Sequence, residues 1–167
     1  MKLTKALLGV VFLSLMTTMS AFAQKYTSRN SRNYEVVTLG VATDGTKAIK
    51  IYVTEKNKSK AIALAKKAAV EVCIFRGLPS AGTVSGTPAM VSGSAESEFA
   101  EYFEDFFAPG GRYLKYVNIT SEGAIPEDDI IKVKGGVKVG VVVQIMYDNL
   151  RNDLQKDNIV KSLNYGF

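Results

Sequence analysis

The sequence predicts an α+β fold, a two-layer sandwich in which helices pack on one face of a mixed, mostly antiparallel sheet. Two stretches near the start of the domain and two near its end alternate apolar and polar residues, which is typical of strands in hairpins. Between them lie two stretches with apolar residues at three- and four-residue steps, which is typical of amphipathic helices. The predicted order of elements is β-β-α-α-β-β-β-α.

Residues 1–23 have the pattern of a cleaved secretory signal peptide. Two lysines precede an apolar run over residues 6–16, and Ala21-Phe22-Ala23 matches a small-residue cleavage site. We expect the polar residues 24–33 to form a flexible lead-in and residues 34–167 to form one α+β domain. The signal predicts an exported protein, and we expect it in the periplasm or at the cell surface of a Gram-negative bacterium.

Tyr34–Ala42 and Lys47–Thr54 are predicted to pair as the first hairpin, with a turn signal at Asp44-Gly45. We expect the apolar residues of both strands to share one face, which pairs Val41 with Ile49 and requires a three-residue or bulged turn. The residues expected on that face are Val37, Leu39, Val41, Ile49, Ile51 and Val53.

The main predicted helix is rich in alanine and runs from Asn57, as N-cap, to Gly77, as a left-handed residue after its end. Another face of this helix is expected to carry Lys60, Lys67 and Glu71. The apolar residues that recur at helical spacing are Ala61, Leu64, Ala65, Ala68, Val72 and Phe75. The single cysteine, Cys73, lies on the apolar part of the helix and is expected to be a buried thiol.

Residues 78–93 are uncharged, and five Gly and Pro residues among them rule out a regular helix. We predict a long loop there. Ala95–Phe107 carries aromatic residues at helical spacing and is predicted to form a second helix capped by Ser94. Arg112–Thr120, rich in β-branched and aromatic residues, is predicted to form a strand.

The last hairpin is predicted over Ile130–Lys134 and Val137–Tyr147, with a three-residue turn that pairs Val133 with Val137. Because the second of these strands is apolar on both faces, we expect it to be central in the sheet. A last helix is predicted with Asp148 as its cap, carrying Leu150 and Leu154. Three further apolar residues are expected to pack a short C-terminal turn: Ile159, Val160 and Leu163.

The sequence lacks the residues of the common catalytic constellations. It has no histidine and one cysteine, which removes the commonest general base and a thiolate zinc cluster. The acids at Glu127–Asp129 lack the spacing of a calcium loop and are read as an acidic turn. We therefore expect no enzyme, cofactor or metal. A carboxylate-dependent hydrolase is kept as an alternative, with Glu101, Glu104 and Asp105 as its candidate acids.

Two blocks carry a resemblance to known proteins. AIALAKKAAVEVCIFRGLP, followed by EYFEDFF and GGRYLKYV, resembles small exported proteins of Bacteroidota-type bacteria. The alanine-rich helix between strand pairs is also similar to the LPP20-like envelope proteins and to the N-terminal domain of flagellar assembly proteins. The resemblance implies an envelope role and transfers no catalytic residue.

We expect a non-enzymatic structural or protein-interaction module of the cell envelope that binds an envelope protein or assembles with itself. Peripheral contact with the envelope is possible, but neither nucleic-acid binding nor a transmembrane helix is expected. The candidate contacts lie in the loop and on a basic face: Ala81, Val84, Met90, Val91, Lys58, Lys60 and Lys67.

A binding protein for a lipid, a glycan or another small ligand is the alternative. In that hypothesis, the 78–93 loop is a lid over a pocket formed by Phe99, Phe103 and Tyr113.

Overall fold

A computed structural model describes residues 34–40, 45–120 and 124–161. The predicted signal peptide, the lead-in, Val41 and Leu163 lie outside these residues. The strands are β1 (Glu35–Gly40), β2 (Lys47–Glu55), β3 (Gly77–Leu78), β4 (Thr87–Pro88), β5 (Val117–Ile119), β6 (Ile130–Val133) and β7 (Gly136–Ile145). The α-helices are α1 (Lys58–Phe75), α2 (Ala95–Glu98), α3 (Ala100–Phe106) and α4 (Tyr147–Lys156), and two 3-10 helices span Arg112–Tyr116 and Glu127–Asp129.

The α+β fold is confirmed, and β7 is the central strand of its sheet. One edge of β7 pairs with β2, which in turn pairs with β1. The other edge is shared, because β5 pairs with one end of β7 and β6 with the other. All of these pairings are antiparallel within the described residues. The inward residues of β7 are fully buried, as expected for a central strand: Val139, Val141, Val143 and Ile145.

The predicted register of the first hairpin is wrong. Val37 pairs with Lys50 and Thr38 with Ile49, so Val37 lies on the sheet face opposite to Ile49 and Ile51. A bulge follows between Thr38 and Gly40. Val37 and Leu39 are 41% and 49% exposed. The apolar alternation of β1 therefore marks the uncovered face of an edge strand.

The predicted register of the last hairpin is also wrong. Val133 pairs with Gly136, and Ile131 pairs with Lys138, so the turn contains two residues rather than three. Two-residue loops are the commonest hairpin connections, and Gly135 adopts a φ of +86° in this one. Ile131 and Val133 are 49% and 37% exposed as a result.

The helix α1 packs on β2 and β7 through alanine side chains. Its N-cap is as predicted, because Asn57 Oδ1 accepts a hydrogen bond of 3.0 Å from Lys60 N. Towards its C-terminus the helix is buried on every side, and Glu71, expected on a polar face, is only 4% exposed. Lys67 Nζ lies 3.9 Å from Glu71 Oε1. The fully buried Cys73 is consistent with the expected structural thiol, and burial raises the pKa of that thiol to about 12.

The predicted second helix is divided in two, and much of the predicted strand after it is helical. Phe99 leaves helical geometry and separates α2 from α3, while Ser94 makes no side-chain cap hydrogen bond. Arg112–Tyr116 forms a 3-10 helix, so only Val117–Ile119 joins the sheet. The aromatic residues explain this outcome, because Tyr113 and Tyr116 are buried in the aromatic core beside α3.

Candidate functional site

The predicted 78–93 loop contains a small hairpin. β3 pairs with β4, and Ala81 and Val84 bridge across the turn at its tip. Gly77 has a φ of +82°, as predicted for the residue that follows a helix end. The loop therefore leaves α1, turns, and returns to the same end of the helix.

The returning chain is anchored to the C-terminus of α1. Met90 N and Val91 N both donate to Ile74 O, at 3.0 and 3.1 Å. These bonds satisfy a carbonyl that a helix end leaves without an intrahelical partner. Met90 is 6% exposed and belongs to the core, whereas Val91 is half-buried. Backbone hydrogen bonds therefore fix this part of the loop to the helix, which does not favour the predicted role of the loop as a lid.

The C-terminal turn is held in a similar way. Asn158 adopts a φ of 60°, and the chain then folds back so that Ile159 N and Val160 N donate to Leu154 O, at 2.8 and 3.2 Å. Ile159 and Val160 are 8% and 5% exposed. The predicted packing of this turn is confirmed for these two residues.

A cleft of about 620 Å³ lies between the anchored loop, α2 and the C-terminal turn. We call it the Arg151 cleft, and its lining residues are Met90, Val91, Ser92, Ala95, Glu98, Phe99, Arg151, Asn158, Ile159, Val160 and Lys161. This volume lies within the range of ordinary ligand pockets, about 300–1,000 Å³. Three of the residues predicted as partner contacts or as pocket residues meet here, namely Met90, Val91 and Phe99.

Arg151 is the polar residue of greatest interest in this cleft. Its Nε is enclosed and has no hydrogen-bond partner among the described residues. Arg151 also lies beside Tyr147, whose pKa is raised by burial, and the charge of the guanidinium and a hydrogen bond from the Arg151 side chain oppose that rise. No ion pair of the described residues includes Arg151.

Two other charged side chains line the Arg151 cleft. Lys161 adds a second positive charge, and the exposed Glu98 adds a negative one. The remaining lining is mostly apolar. The cleft thus combines apolar side chains with a net positive charge, which suits an apolar group that carries an anion.

The other predicted contact residues lie elsewhere. Lys58 and Lys60 are exposed at the N-terminal end of α1, whereas Met90 and Val91 lie at its C-terminal end. Since a helix rises 1.5 Å per residue, these groups are roughly 20 Å apart along the helix. Lys67 lies over the Phe107 ring, at 5.8 Å from its centroid. The basic residues and the loop therefore do not form one surface.

The predicted ring pocket is not formed by its three residues. Phe103 is fully buried and Tyr113 is 8% exposed, and both belong to the aromatic core. Phe75 packs edge-on against Phe103, with ring centroids 4.8 Å apart. Of the three residues, Phe99 lines both the Arg151 cleft and a groove beside α3.

The candidate acids of the hydrolase hypothesis lie on the surface of α3. Glu101 and Glu104 line a groove of about 660 Å³ together with Glu98, and Asp105 is exposed outside it. No group of three or more metal-binding side chains occurs within residues 34–40, 45–120 and 124–161.

Two carboxylates, one on α4 and one at its end, accept hydrogen bonds from tyrosine hydroxyl groups. Tyr116 Oη donates to Asp153 Oδ2 at 2.8 Å, and Tyr102 Oη donates to Asp157 Oδ2 at 2.7 Å. These hydrogen bonds lower the pKa of both carboxyl groups. An acid–base pair needs two groups whose pKa values are pushed apart, so this arrangement favours a structural role.

Sequence reasoning missed Arg151. In the sequence it lies between Leu150 and Leu154 and has the appearance of an ordinary charged residue of an amphipathic helix. Arg151 is distinctive only in the folded protein, where the C-terminal turn and the 78–93 loop lie beside it.

Comparison of the chain with protein-family models, with curated proteins and with solved structures finds no match. The resemblance to exported envelope proteins therefore stays a prediction. In the part of the chain that the structure describes, no helix has both the length and the apolar character that crossing a membrane requires.

Proposed function

We propose that this protein is an exported, non-enzymatic module of the bacterial cell envelope that binds a segment of a partner protein in the Arg151 cleft. The observation that carries the proposal is the composition of this cleft. Apolar side chains from the loop, α2 and the C-terminal turn meet there around one guanidinium. The predicted signal peptide supports the location.

The backbone around the cleft is well suited to recognition. Val91 follows a residue bonded to the end of α1, and Val160 is bonded back to α4. A binding surface held in this way loses little conformational entropy when a partner binds. Met90 adds a flexible thioether to the wall, a side chain that adapts to differently shaped apolar groups.

The proposal is tested by measuring the native mass of the untagged mature protein in gently solubilised envelope and after purification. We expect a large envelope species that falls to the monomer mass on purification. Val91→Glu, which places a charge in the apolar wall, should abolish the large species. Leu114→Glu is the matched control, because Leu114 is 39% exposed and lies outside the cleft.

Point substitutions are preferred to deletion of residues 80–92, because Met90 and Val91 cap α1 and their loss would disturb the helix end. A large species that survives Val91→Glu would contradict the cleft as the contact site. A monomer in both preparations would contradict partner binding itself.

A further inference from the structure

The enclosed Nε of Arg151 is an unsatisfied donor in the wall of the cleft. Buried polar groups are almost always hydrogen-bonded in folded proteins, and a donor left without a partner is unfavourable. The Arg151 side chain is nevertheless half-buried as a whole and borders the cleft. Because Nε itself is enclosed, an acceptor that enters the cleft pairs with it only if the Arg151 side chain moves towards that acceptor.

The chemistry of a guanidinium narrows the choice of acceptor. Nε–H and an adjacent Nη–H lie side by side and match the two oxygens of a carboxylate. Glu98 lines the same cleft, yet none of the ion pairs among the described residues joins it to Arg151. The apolar side chains around Arg151 lower the local polarity, which strengthens a charge-assisted hydrogen bond.

We infer that the Arg151 cleft recognises a carboxylate attached to an apolar group, with Arg151 as its anion-binding residue. This inference rests on the proposed function, so the carboxylate belongs to the partner's segment. It comes either from an acidic side chain or from the C-terminus of that segment, next to an apolar side chain. Val91, Phe99 and Val160 would contact the apolar part.

The first experiment titrates the purified mature protein, labelled with ¹⁵N and ¹³C, with hexanoate and with hexanamide. These probes have the same length and differ in the charge of their head group. We expect hexanoate to shift the Arg151 Nε–Hε resonance and the methyl resonances of Val91 and Val160. We also expect it to bind about tenfold more tightly than hexanamide, as a charge-assisted hydrogen bond allows.

Three variants test the role of Arg151. Arg151→Gln should remove the preference for hexanoate, and Arg151→Lys should retain only part of it because lysine lacks the guanidinium fork. Glu98→Gln should tighten hexanoate binding, since it removes a negative charge from the cleft. Because Glu98 is exposed, this variant tests the inference even if the Arg151 variants fold poorly.

Two tripeptides distinguish the sources of the carboxylate. One is acetyl-Ala-Leu-Phe with a free C-terminal carboxylate, and the other is acetyl-Glu-Leu-Phe amide, with acetyl-Gln-Leu-Phe amide as the uncharged control. Binding of either charged peptide above the control supports the inference and names the source.

The outcomes separate the inference from the proposed function. Equal affinity for hexanoate and hexanamide would contradict the recognition of a carboxylate. The cleft would then be a binding site for apolar groups. If hexanoate binds but none of the peptides does, the ligand is a small amphiphile, and a protein segment as the ligand is overturned. No binding of any probe at millimolar concentration would overturn the inference of a carboxylate, whereas the proposed function is decided separately by the native-mass measurement.

Discussion

Asp157 shows how one carboxylate at the end of α4 links three elements. It accepts hydrogen bonds from Tyr102 of α3, at 2.7 Å, and from Arg112 of the 3-10 helix, at 2.9 Å. The Arg112 guanidinium also lies over the rings of Tyr102 and Phe106, at 5.8 and 5.9 Å from their centroids. The hydrogen bond from Tyr102, followed by that from Arg112, lowers the pKa of Asp157. These contacts hold α3, which carries Tyr102 and Phe106, against the end of α4.

The lowered pKa predicts acid-sensitive stability. Because the folded-state pKa of Asp157 lies below its unfolded-state value, the stabilisation is present above the ordinary Asp pKa of about 4 and is lost as pH falls through the folded-state value. We expect Asp157→Asn to lower the urea midpoint at pH 7 and to lie closer to wild type at pH 3. Urea unfolding followed by circular dichroism at both pH values measures this.

Asp105→Asn, on the exposed surface of α3, is the control and should resemble wild type at both pH values. A difference between Asp157→Asn and wild type that is the same at pH 7 and pH 3 would show that the charge of Asp157 contributes nothing.

At the scale of elements, the C-terminal end of α1 organises the candidate site. The helix ends at Phe75 with Arg76 as its C-cap, and Gly77 turns the chain with a positive φ. The hairpin that follows returns Met90 and Val91 to the last carbonyls of the helix. A Cβ added at Gly77 would lie 2.3 Å from Thr87 O and 2.7 Å from Ala89 N. The tight approach of β3 and β4 therefore requires glycine at this position.

Two glycine substitutions separate the effect of backbone conformation from that of the close approach. Gly82 has a φ of +56°, and a Cβ added there would meet no neighbouring atom within 4 Å, so Gly82→Ala should lower the free energy of unfolding by about 1 kcal/mol. Gly77→Ala adds the clash with β4 and should cost more than about 3 kcal/mol. Chemical denaturation of both variants measures the difference, and equal costs would contradict the tight packing of β3 against β4.

At the scale of the whole molecule, the two faces of the sheet differ within the described residues. The core lies between the sheet and α1, while the other face carries the ion pairs Lys50–Asp129 and Lys138–Glu35, with N–O distances of 2.8 and 2.7 Å. The exposed apolar residues Val37, Ile131 and Val133 share this polar face. Apolar residues of the edge strands are therefore no guide to the core side.

Substitutions in β1 test this assignment of faces. Val36 pairs with Ile51 and packs against the core, so Val36→Lys should cost about 1–3 kcal/mol. Val37→Lys is the matched control on the uncovered face and should change stability by no more than about 0.5 kcal/mol. Thermal and urea unfolding measure the stability of both variants. A larger loss of stability for Val37→Lys than for Val36→Lys would support the register expected from the apolar alternation.

The periodicity of apolar residues predicted burial correctly in elements that pack one face against the core. The alternation in β7 and the spacing of Leu150 and Leu154 predicted buried residues, and both predictions are confirmed because these side chains face the core. The same reasoning placed Val37 and Ile131 on the wrong face. Edge strands are covered less than central ones, so turn geometry rather than apolar pattern sets their register.

The candidate site was only partly predictable. Met90 and Val91 stood out as apolar residues of the predicted loop and Phe99 as an aromatic residue of the predicted second helix, and all three line the cleft. Phe103 and Tyr113 carry the same kind of aromatic signal but lie in the core. An aromatic residue at helical spacing has the same sequence pattern whether it faces a cavity or a neighbouring helix.

The sequence by itself determined the α+β class, the caps of α1, the central position of β7 and the buried place of Cys73. These features depend on local propensity, capping and periodicity, which act between residues close in the chain. The tertiary structure alone decided the faces of the edge strands and the burial of Glu71, and it also decided that Arg151 meets Met90 and Phe99 in one cleft. The physical reason is that each depends on packing between segments distant in the chain, and local patterns carry no record of which segments meet.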